Sequence, residues 1–494
     1  MGYLMRRRDF LTLSATATAG LTGSCSTGSK TSPSSKRPPN IIWIMADDLS
    51  WGDLGCYGQK VIQTPHIDSL AKDGMRFTDA YAGCAVCAPS RSVLLTGKHG
   101  GHTAVRSNPG GVYLLDEDVT IGEVLKPSGY RSGCFGKWGL GDIGTPGAPW
   151  KQGFDDFFGY LHQAHAHFHY PPFLYDNDKE VPIPENLGRR LGKHSQDLIV
   201  ERTLDFIRKN RETPFFCYAA WTLPHWEPQV PAEAMEPYRG KFDPEFEFVN
   251  PAGRLNPQKE TFATYAGMVS RVDQGVGRIL SLLRELSLEQ DTIVIFTSDN
   301  GGHSRGSFDP ETRLQNYGEF RGYKGTMYEG GLRVPMVVRW PGRTPEGKVS
   351  HYPWMFEDAL PTFAEVAGAA TPEGIDGHSI VPTLTGATQK EHDFLYWENP
   401  RFQQTTFESD WKDVRENTAL PAQALRAGDW KLVRPKEDAP LELYNLKQDV
   451  GETKDLAFAK QERLEGLTQL LRSARTETRP QSQPAHRWFE KPWW

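Results

Sequence analysis

The hydrophobic pattern of the chain is dominated by short, mostly uninterrupted apolar runs. Ile41 to Met45, Arg131 to Phe135, Pro214 to Trp221, Asp291 to Ser298 and Met336 to Trp340 each have strand length and little polar alternation. Such runs mark strands buried on both faces, as in a parallel sheet covered by helices. Between them Thr64 to Asp73 reads as a helix, and Ser90 to Thr96 as a helix-like run. From about Lys390 the period changes. Phe394 to Glu398, Gln423 to Arg426, Trp430 to Arg434 and Leu441 to Leu446 alternate between turn residues, which suits an antiparallel sheet. A helix from about Leu456 to Arg475 follows. The pattern predicts an α/β chain: a large, mostly parallel central sheet flanked by helices over 40–390, and a smaller antiparallel sheet plus helix over 391–494.

The first 39 residues stand outside that pattern. Arg6-Arg7-Arg8-Asp9-Phe10-Leu11 is a twin-arginine arrangement, and the apolar run Phe10 to Leu21 behind it is too short to span a bilayer. Residues 1–25 therefore read as an export signal and no transmembrane span is expected. Cys25 is a candidate lipid acceptor, and Ser26 to Pro39 is a Ser/Lys/Pro-rich tether. The expected location is the periplasm, either free or held to the membrane through Cys25.

Charge and cysteine content narrow the class. With 62 acidic and 56 basic residues the net charge is −6, which leaves no basic footprint for nucleic acid. The six cysteines (25, 56, 84, 87, 134, 217) are too few and too scattered for a disulfide framework or a zinc site. Cys134 and Cys217 lie in strand-like runs and read as small buried hydrophobes.

Candidate chemistry gathers at the carboxyl ends of the predicted strands, where open α/β sheets bind ligands. The first run ends in Asp47-Asp48, and the run to Ser298 ends in Asp299-Asn300. Three carboxylates and one amide oxygen suit a hard divalent cation, Ca2+ or Mg2+, over zinc or copper. His225 follows the run to Trp221, and two lysines stand among glycines, Lys137 in Gly136-Lys137-Trp138-Gly139 and Lys324 in Gly322-Tyr323-Lys324-Gly325. A compact ammonium held near backbone suits a tetrahedral oxyanion. Glu329 and Arg333 read as a structural ion pair. The stretch Cys84 to Gly97 contains Cys87-Ala88-Pro89-Ser90-Arg91, a cysteine just before a helix start with a guanidinium four residues on. Both features would lower a thiol pKa and make a Cys87 thiolate reactive; the other reading of a cysteine before a proline is an ordinary loop or packing residue.

The Cys-x-Pro-Ser-Arg arrangement, with the strand-end residues in this order from Asn40 to about Arg434, resembles the type I sulfatases of the alkaline-phosphatase superfamily. The resemblance implies that Cys87 is oxidised to formylglycine by a formylglycine-generating enzyme, and that a hydroxyl of the aldehyde hydrate attacks sulfur. It implies Ca2+ rather than Mg2+ on Asp47, Asp48, Asp299, Asn300 and residue 87. Arg91, Lys137 and Lys324 match residues that steady formylglycine or bind sulfate, and His225 matches the histidine that protonates the leaving oxygen. One departure is Trp138-Gly139, where sulfatases usually have Trp-His; the Gly-Lys-Trp-Gly variant resembles a subgroup of bacterial polysaccharide degraders. That likeness implies a sulfated oligo- or polysaccharide substrate of galactose or N-acetylgalactosamine type.

Phe154 to Tyr170 interleaves histidines with aromatics. It reads as a partly exposed strand or loop, and His165 and His167 are candidates to grip sugar hydroxyls beside the sulfate pocket. Two alternatives follow from the same residues: a phosphonate monoester or phosphodiester hydrolase, and a sulfated-glycan binding protein disabled by Gly139.

Overall fold

The computed structural model describes residues 37–108, 112–249, 256–303, 316, 318–399 and 421–479. The expected export signal over 1–25, the candidate lipid acceptor Cys25, most of the expected tether and the Trp-rich stretch from Trp488 lie outside the described residues. The described residues from Pro38 onward belong to one compact unit.

Ten strands make the large sheet: β1 (Asn40–Ala46), β2 (Met75–Phe77), β3 (Arg131–Lys137), β4 (Asp156–Tyr160), β5 (Phe173–Asp176), β6 (Lys179–Pro182), β7 (Phe215–Ala220), β8 (Thr292–Ser298), β9 (Met336–Arg339) and β10 (Lys348–Ser350). Their order is β10-β2-β9-β8-β1-β7-β3-β4-β5-β6. The central five, β8-β1-β7-β3-β4, are mutually parallel, and antiparallel strands extend the sheet at both ends. The expected parallel core is therefore present, inside a mixed sheet.

Its strands read as continuous apolar runs because both faces are covered. In β1, Ile41, Trp43 and Met45 point into one hydrophobic cluster, and Ile42, Ile44 and Ala46 into the other. On the first face Trp43 meets Trp354, Phe356 and Phe363 edge-on, with ring centroids 5.6–6.0 Å apart. On the second lie the helices α1 (Pro65–Lys72), α4 (Ser195–Lys209) and α5 (Thr261–Glu285). The first face takes α2 (Cys87–Thr96), α3 (Ile121–Leu125) and α6 (Ala359–Ala367). Burial of a side chain the size of Trp43 contributes at least ~2–3 kcal/mol.

The register sets the site. Ala46 pairs with Ser298 of β8, and Met45 pairs with Ala220 of β7. The residues that leave these strands, Asp47-Asp48, Asp299-Asn300 and the segment toward His225, thus emerge side by side at one edge.

The C-terminal sheet is β11 (Leu395–Asn399), β12 (Ala422–Ala427), β13 (Trp430–Arg434) and β14 (Glu442–Asn445), all antiparallel, backed by α7 (Gln461–Ser473). The helix is shorter than the span expected from sequence. Its first turn waits until Gln461, and only Leu467 and Leu471 are buried to anchor it. Lys431 docks this sheet on the large one, with Nζ 2.7 Å from Glu329 and 2.8 Å from Glu452. Glu329 also pairs with Arg333 at 2.6 Å, the structural ion pair expected from sequence.

Candidate active site

Cys87 is the first residue of α2, and Val86 is its extended cap. The helix starts three residues earlier than the apolar run suggested. Proline is tolerated in a first turn, where its missing N–H has no intrahelical acceptor, so Pro89 extends the helix backward instead of delaying it. Asn108 accepts the Ala88 N–H at 2.9 Å, which satisfies one open donor of that turn. Ser90 ties the turn to β8 by donating to the Asp299 carbonyl at 2.5 Å. Every residue of α2 is buried.

Around Cys87 the strand-end groups form one ionic cluster. Cys87 Sγ lies 3.4 Å from Asp47 Oδ1. Lys137 Nζ lies 2.7 Å from Asp47 Oδ2, and Lys324 Nζ lies 2.7 Å from Asp48 Oδ1. Arg91 donates through Nη2 to Asp299 Oδ2 at 2.7 Å and through Nη1 to the Lys137 carbonyl at 2.5 Å. All of these except Lys324 are essentially inaccessible.

The expectation of a reactive thiolate is not met. Burial, reinforced by Asp299 and Asp47, pushes the Cys87 thiol up, despite Lys137 and Lys324. The Arg91 guanidinium that was expected to lower it is engaged by Asp299 and Asp47 instead. An unmodified thiol here is a weak nucleophile.

The two adjacent aspartates differ in charge environment. Burial raises both, but around Asp47 the attraction of Lys137, Arg91 and Lys324 wins and its pKa falls to about 2. At Asp48 burial prevails over Lys324, with Asp47 and Asp299 adding repulsion, and the pKa rises to about 6. Burial and Asp47 likewise raise Asp299.

His225 completes the cluster from the loop after β7. Its Nδ1 donates to the Trp226 carbonyl at 2.5 Å, so Nε2 carries the lone pair and faces Lys324 Nζ at 3.1 Å and Asp48 Oδ2 at 3.4 Å. Burial, then Lys324 and Lys137, hold the imidazole neutral, well below the usual histidine range.

The donor set fits a hard divalent cation. Asp47, Asp48, Cys87 and His225 have potential ligand atoms within 4.8 Å of one another. Asn300 donates through Nδ2 to Asp48 at 2.7 Å, while its buried Oδ1 has no hydrogen-bond partner. An unpartnered amide oxygen beside three carboxylates is an oxygen-ligand arrangement. His99, His102 and Asp376 form a second close group. There Gly101 N–H donates to His99 Nδ1 at 3.1 Å, which leaves the proton on Nε2 and describes a structural His–Asp contact. Among the described residues the histidines of 162–169 belong to neither group.

The histidine tract divides. His167 stacks on His225 with ring centroids 4.6 Å apart, beside the cluster. His165, expected to grip sugar, is instead fully buried and packs against Tyr160, Phe173 and Tyr175. Its neighbours in sequence are apolar or aromatic and the short turn His165–His167 points it inward, so it is a core ring with a pKa lowered by burial to about 3. Sequence reasoning missed His169, whose Nε2 bonds the His225 carbonyl at 2.9 Å, and Gln163, treated below. Their only signal was membership of the unusual tract.

A cation-fitted cluster at the carboxyl edge of a parallel sheet, with a helix N-terminus and two lysines, defines a hydrolase of anionic esters. Residues 39–369 match the sulfatase family, and residues 318–480 match the C-terminal region of N-sulphoglucosamine sulphohydrolase. The chain is 31% identical over 472 residues to N-acetylgalactosamine-6-sulfatase of Canis lupus familiaris, covering 87% of this chain and 84% of that protein. It is 35% identical over 392 residues to arylsulfatase A of Homo sapiens, covering 73% and 70%. Its fold matches that of Ps i-CgsB in complex with k-i-k-neocarrahexaose with a TM-score of 0.73 at 29% identity, over 92% of this chain and 96% of the other. The phosphonate monoester hydrolase of Agrobacterium radiobacter, at TM-score 0.64 and 21% identity, shares the fold. The chain belongs to the sulfatase family and is a sulfuric ester hydrolase. That family generally uses formylglycine and a divalent metal, and the cluster holds an acidic site for one.

Proposed function

We propose that this sulfatase removes sulfate from a galactose- or N-acetylgalactosamine-type unit of a sulfated oligo- or polysaccharide, with formylglycine made from Cys87 and Ca2+ held by Asp47, Asp48, Asp299 and Asn300. The observation that carries the reading is the meeting of Cys87, at the first turn of α2, with Asp47 and Lys137 at 3.4 Å and 2.7 Å along one chain of contacts. The relatives named N-acetylgalactosamine-6-sulfatase, and Ps i-CgsB in complex with k-i-k-neocarrahexaose, support a sulfated-sugar substrate of this class.

The cation would supply charge neutralisation of the sulfate oxygens. Lys137 and Lys324 add positive charge where the ester's anionic oxygens repel a nucleophile. The weak thiol is a reason for modifying the side chain: as formylglycine, residue 87 would supply a hydroxyl of its aldehyde hydrate as the nucleophile toward sulfur, and the ester S–O bond would break. His225 and Lys324, 3.1 Å apart, form the proton-handling pair for the departing sugar oxygen. Formylglycine would also supply an exit for the sulfate that needs no second attack at sulfur, with water restoring the hydrate. The net reaction is ester plus water to alcohol, sulfate and a proton.

The test is sulfate release from a panel of defined sugar sulfates by matured protein. Turnover of galactose or N-acetylgalactosamine sulfates is expected. Activity confined to aryl sulfates or glucosamine sulfates contradicts the sugar assignment, and faster turnover of a matched aryl phosphonate ester favours the phosphonate reading. Twin-arginine export would carry the chain folded, so modification of Cys87 would precede export.

A further inference from the structure

The loop that follows β4 crosses the active-site edge and touches it at two points. At one end His167 stacks on His225. At the other, Gln163 lies against Gly139, two residues beyond Lys137 and anchored by its N–H to the Leu161 carbonyl at 3.0 Å. A Cβ built on Gly139 would stand 2.2 Å from Gln163 Nε2 and 2.8 Å from its Cδ. The carboxamide therefore fills the space that a side chain at position 139 would need. Gly139 also has φ +73°, so the absence of a side chain serves both the backbone and the neighbour.

Gln163 is 6% exposed, and both Nε2 and Oε1 are buried without a hydrogen-bond partner. A carboxamide offers two donors and an acceptor oxygen, and leaving them unmade inside a protein is unfavourable. Packing alone would be served better by methionine or leucine. A buried amide with both ends unused, at the strand end that delivers Lys137, is shaped for a polar group that arrives with the reaction.

We propose that the Gln163 carboxamide is a hydrogen-bonding member of the reaction centre, occupying the place left open by Gly139. This rests on the sulfatase reading above. Its partner is the reacting group itself, either a sulfo oxygen accepting from Nε2–H or a hydroxyl of the residue 87 hydrate donating to Oε1.

The test uses Gln163→Met and Gln163→Glu in matured full-length protein, with formylglycine occupancy measured by mass spectrometry and kinetics on 4-nitrophenyl sulfate and an N-acetylgalactosamine sulfate. Gln163→Met is expected to lower kcat/KM by about 100-fold, the scale of losing one transition-state hydrogen bond. Its melting temperature should hold or rise, because an unpartnered buried amide has been removed. Retained activity in Gln163→Glu marks the hydrate as partner, since the acceptor survives; a loss exceeding that of Gln163→Met marks the anionic sulfo group. Gly139→Ala, which must displace the amide, should lower kcat/KM as well and serves if a Gln163 variant does not fold. The proposal is overturned if Gln163→Met has parental kinetics, or if its activity and melting temperature fall together. A parent protein that carries formylglycine yet turns over no sulfate ester overturns the sulfatase reading instead, and with it this proposal.

Discussion

Lys324 Nζ sits 3.1 Å from His225 Nε2, while His225 Nδ1 is fixed on the Trp226 carbonyl at 2.5 Å. The imidazole thus turns its lone pair toward the ammonium, and the pair shares a proton between a base held neutral and an acid held charged. Lys324 is the partly accessible member of the pair, with its side chain 14% exposed, while His225 is buried.

His225→Gln is expected to lower kcat on a sugar sulfate by about 100-fold or more, the range of a general acid. The loss should be much smaller on 4-nitrophenyl sulfate, whose phenolate leaves without a proton. Equal losses on the two substrates would mean that His225 binds or orients rather than transfers a proton. Steady-state kinetics on both esters decides this.

Arg91→Met should cost folding stability as well as activity. The guanidinium is fully buried and holds Asp299 and the Lys137 carbonyl together, so its removal leaves a buried carboxylate uncompensated. A loss of about 3–5 kcal/mol is expected in urea unfolding. Arg91→Lys should recover little, since one ammonium cannot span both acceptors.

Metal removal provides a third check. Chelation should abolish activity and lower the melting temperature, with Ca2+ restoring both more fully than Mg2+. At a cation concentration a hundred times the dissociation constant the stabilisation is about 2.7 kcal/mol. Asn300→Ala should raise the Ca2+ concentration needed for that recovery, as its Oδ1 is the unpartnered donor. Activity unchanged by chelation would contradict the fit.

A pH effect on stability is expected at the junction of the two sheets. Burial, together with Glu329, pushes the Glu452 carboxyl up to about 7 against the pull of Lys431. Its folded pKa exceeds its unfolded value of 4.5, so its contribution is fully present below that value and is lost as pH rises through about 7. Glu452→Gln should lack this slope. The stability of the parent relative to the variant should fall between about pH 5 and pH 8, by up to ~3 kcal/mol. A parallel pair of pH profiles would contradict this assignment.

Much of the site was legible because strands end where their apolar runs end. Asp47, Asp48, Asp299, Asn300 and Lys137 needed no knowledge of the sheet beyond that the runs were buried and parallel. The electrostatics of Cys87 were not legible. Arg91 is four residues away in sequence, yet its charge is taken by Asp299, 208 residues distant, and only the register of β1 against β8 brings that carboxylate there. The start of α2 was misplaced because proline looks like a break and is in fact an acceptable first-turn residue. In the histidine tract, alternation alone could not separate His167, stacked on His225, from His165, turned into an aromatic cluster. Gln163 shared the unusual composition of the tract and nothing more; the space it fills beside Gly139 shows only in the structure.

The central claim is that Cys87 is the precursor of the nucleophile. Its most direct test is peptide mass spectrometry of the tryptic fragment Phe77 to Arg91, from protein made in its own host or co-expressed with a formylglycine-generating enzyme. The account expects formylglycine at residue 87, with sulfate ester turnover scaling with its occupancy. Unmodified cysteine in protein that still hydrolyses sulfate esters, or that binds sulfated glycans without turnover, would contradict it.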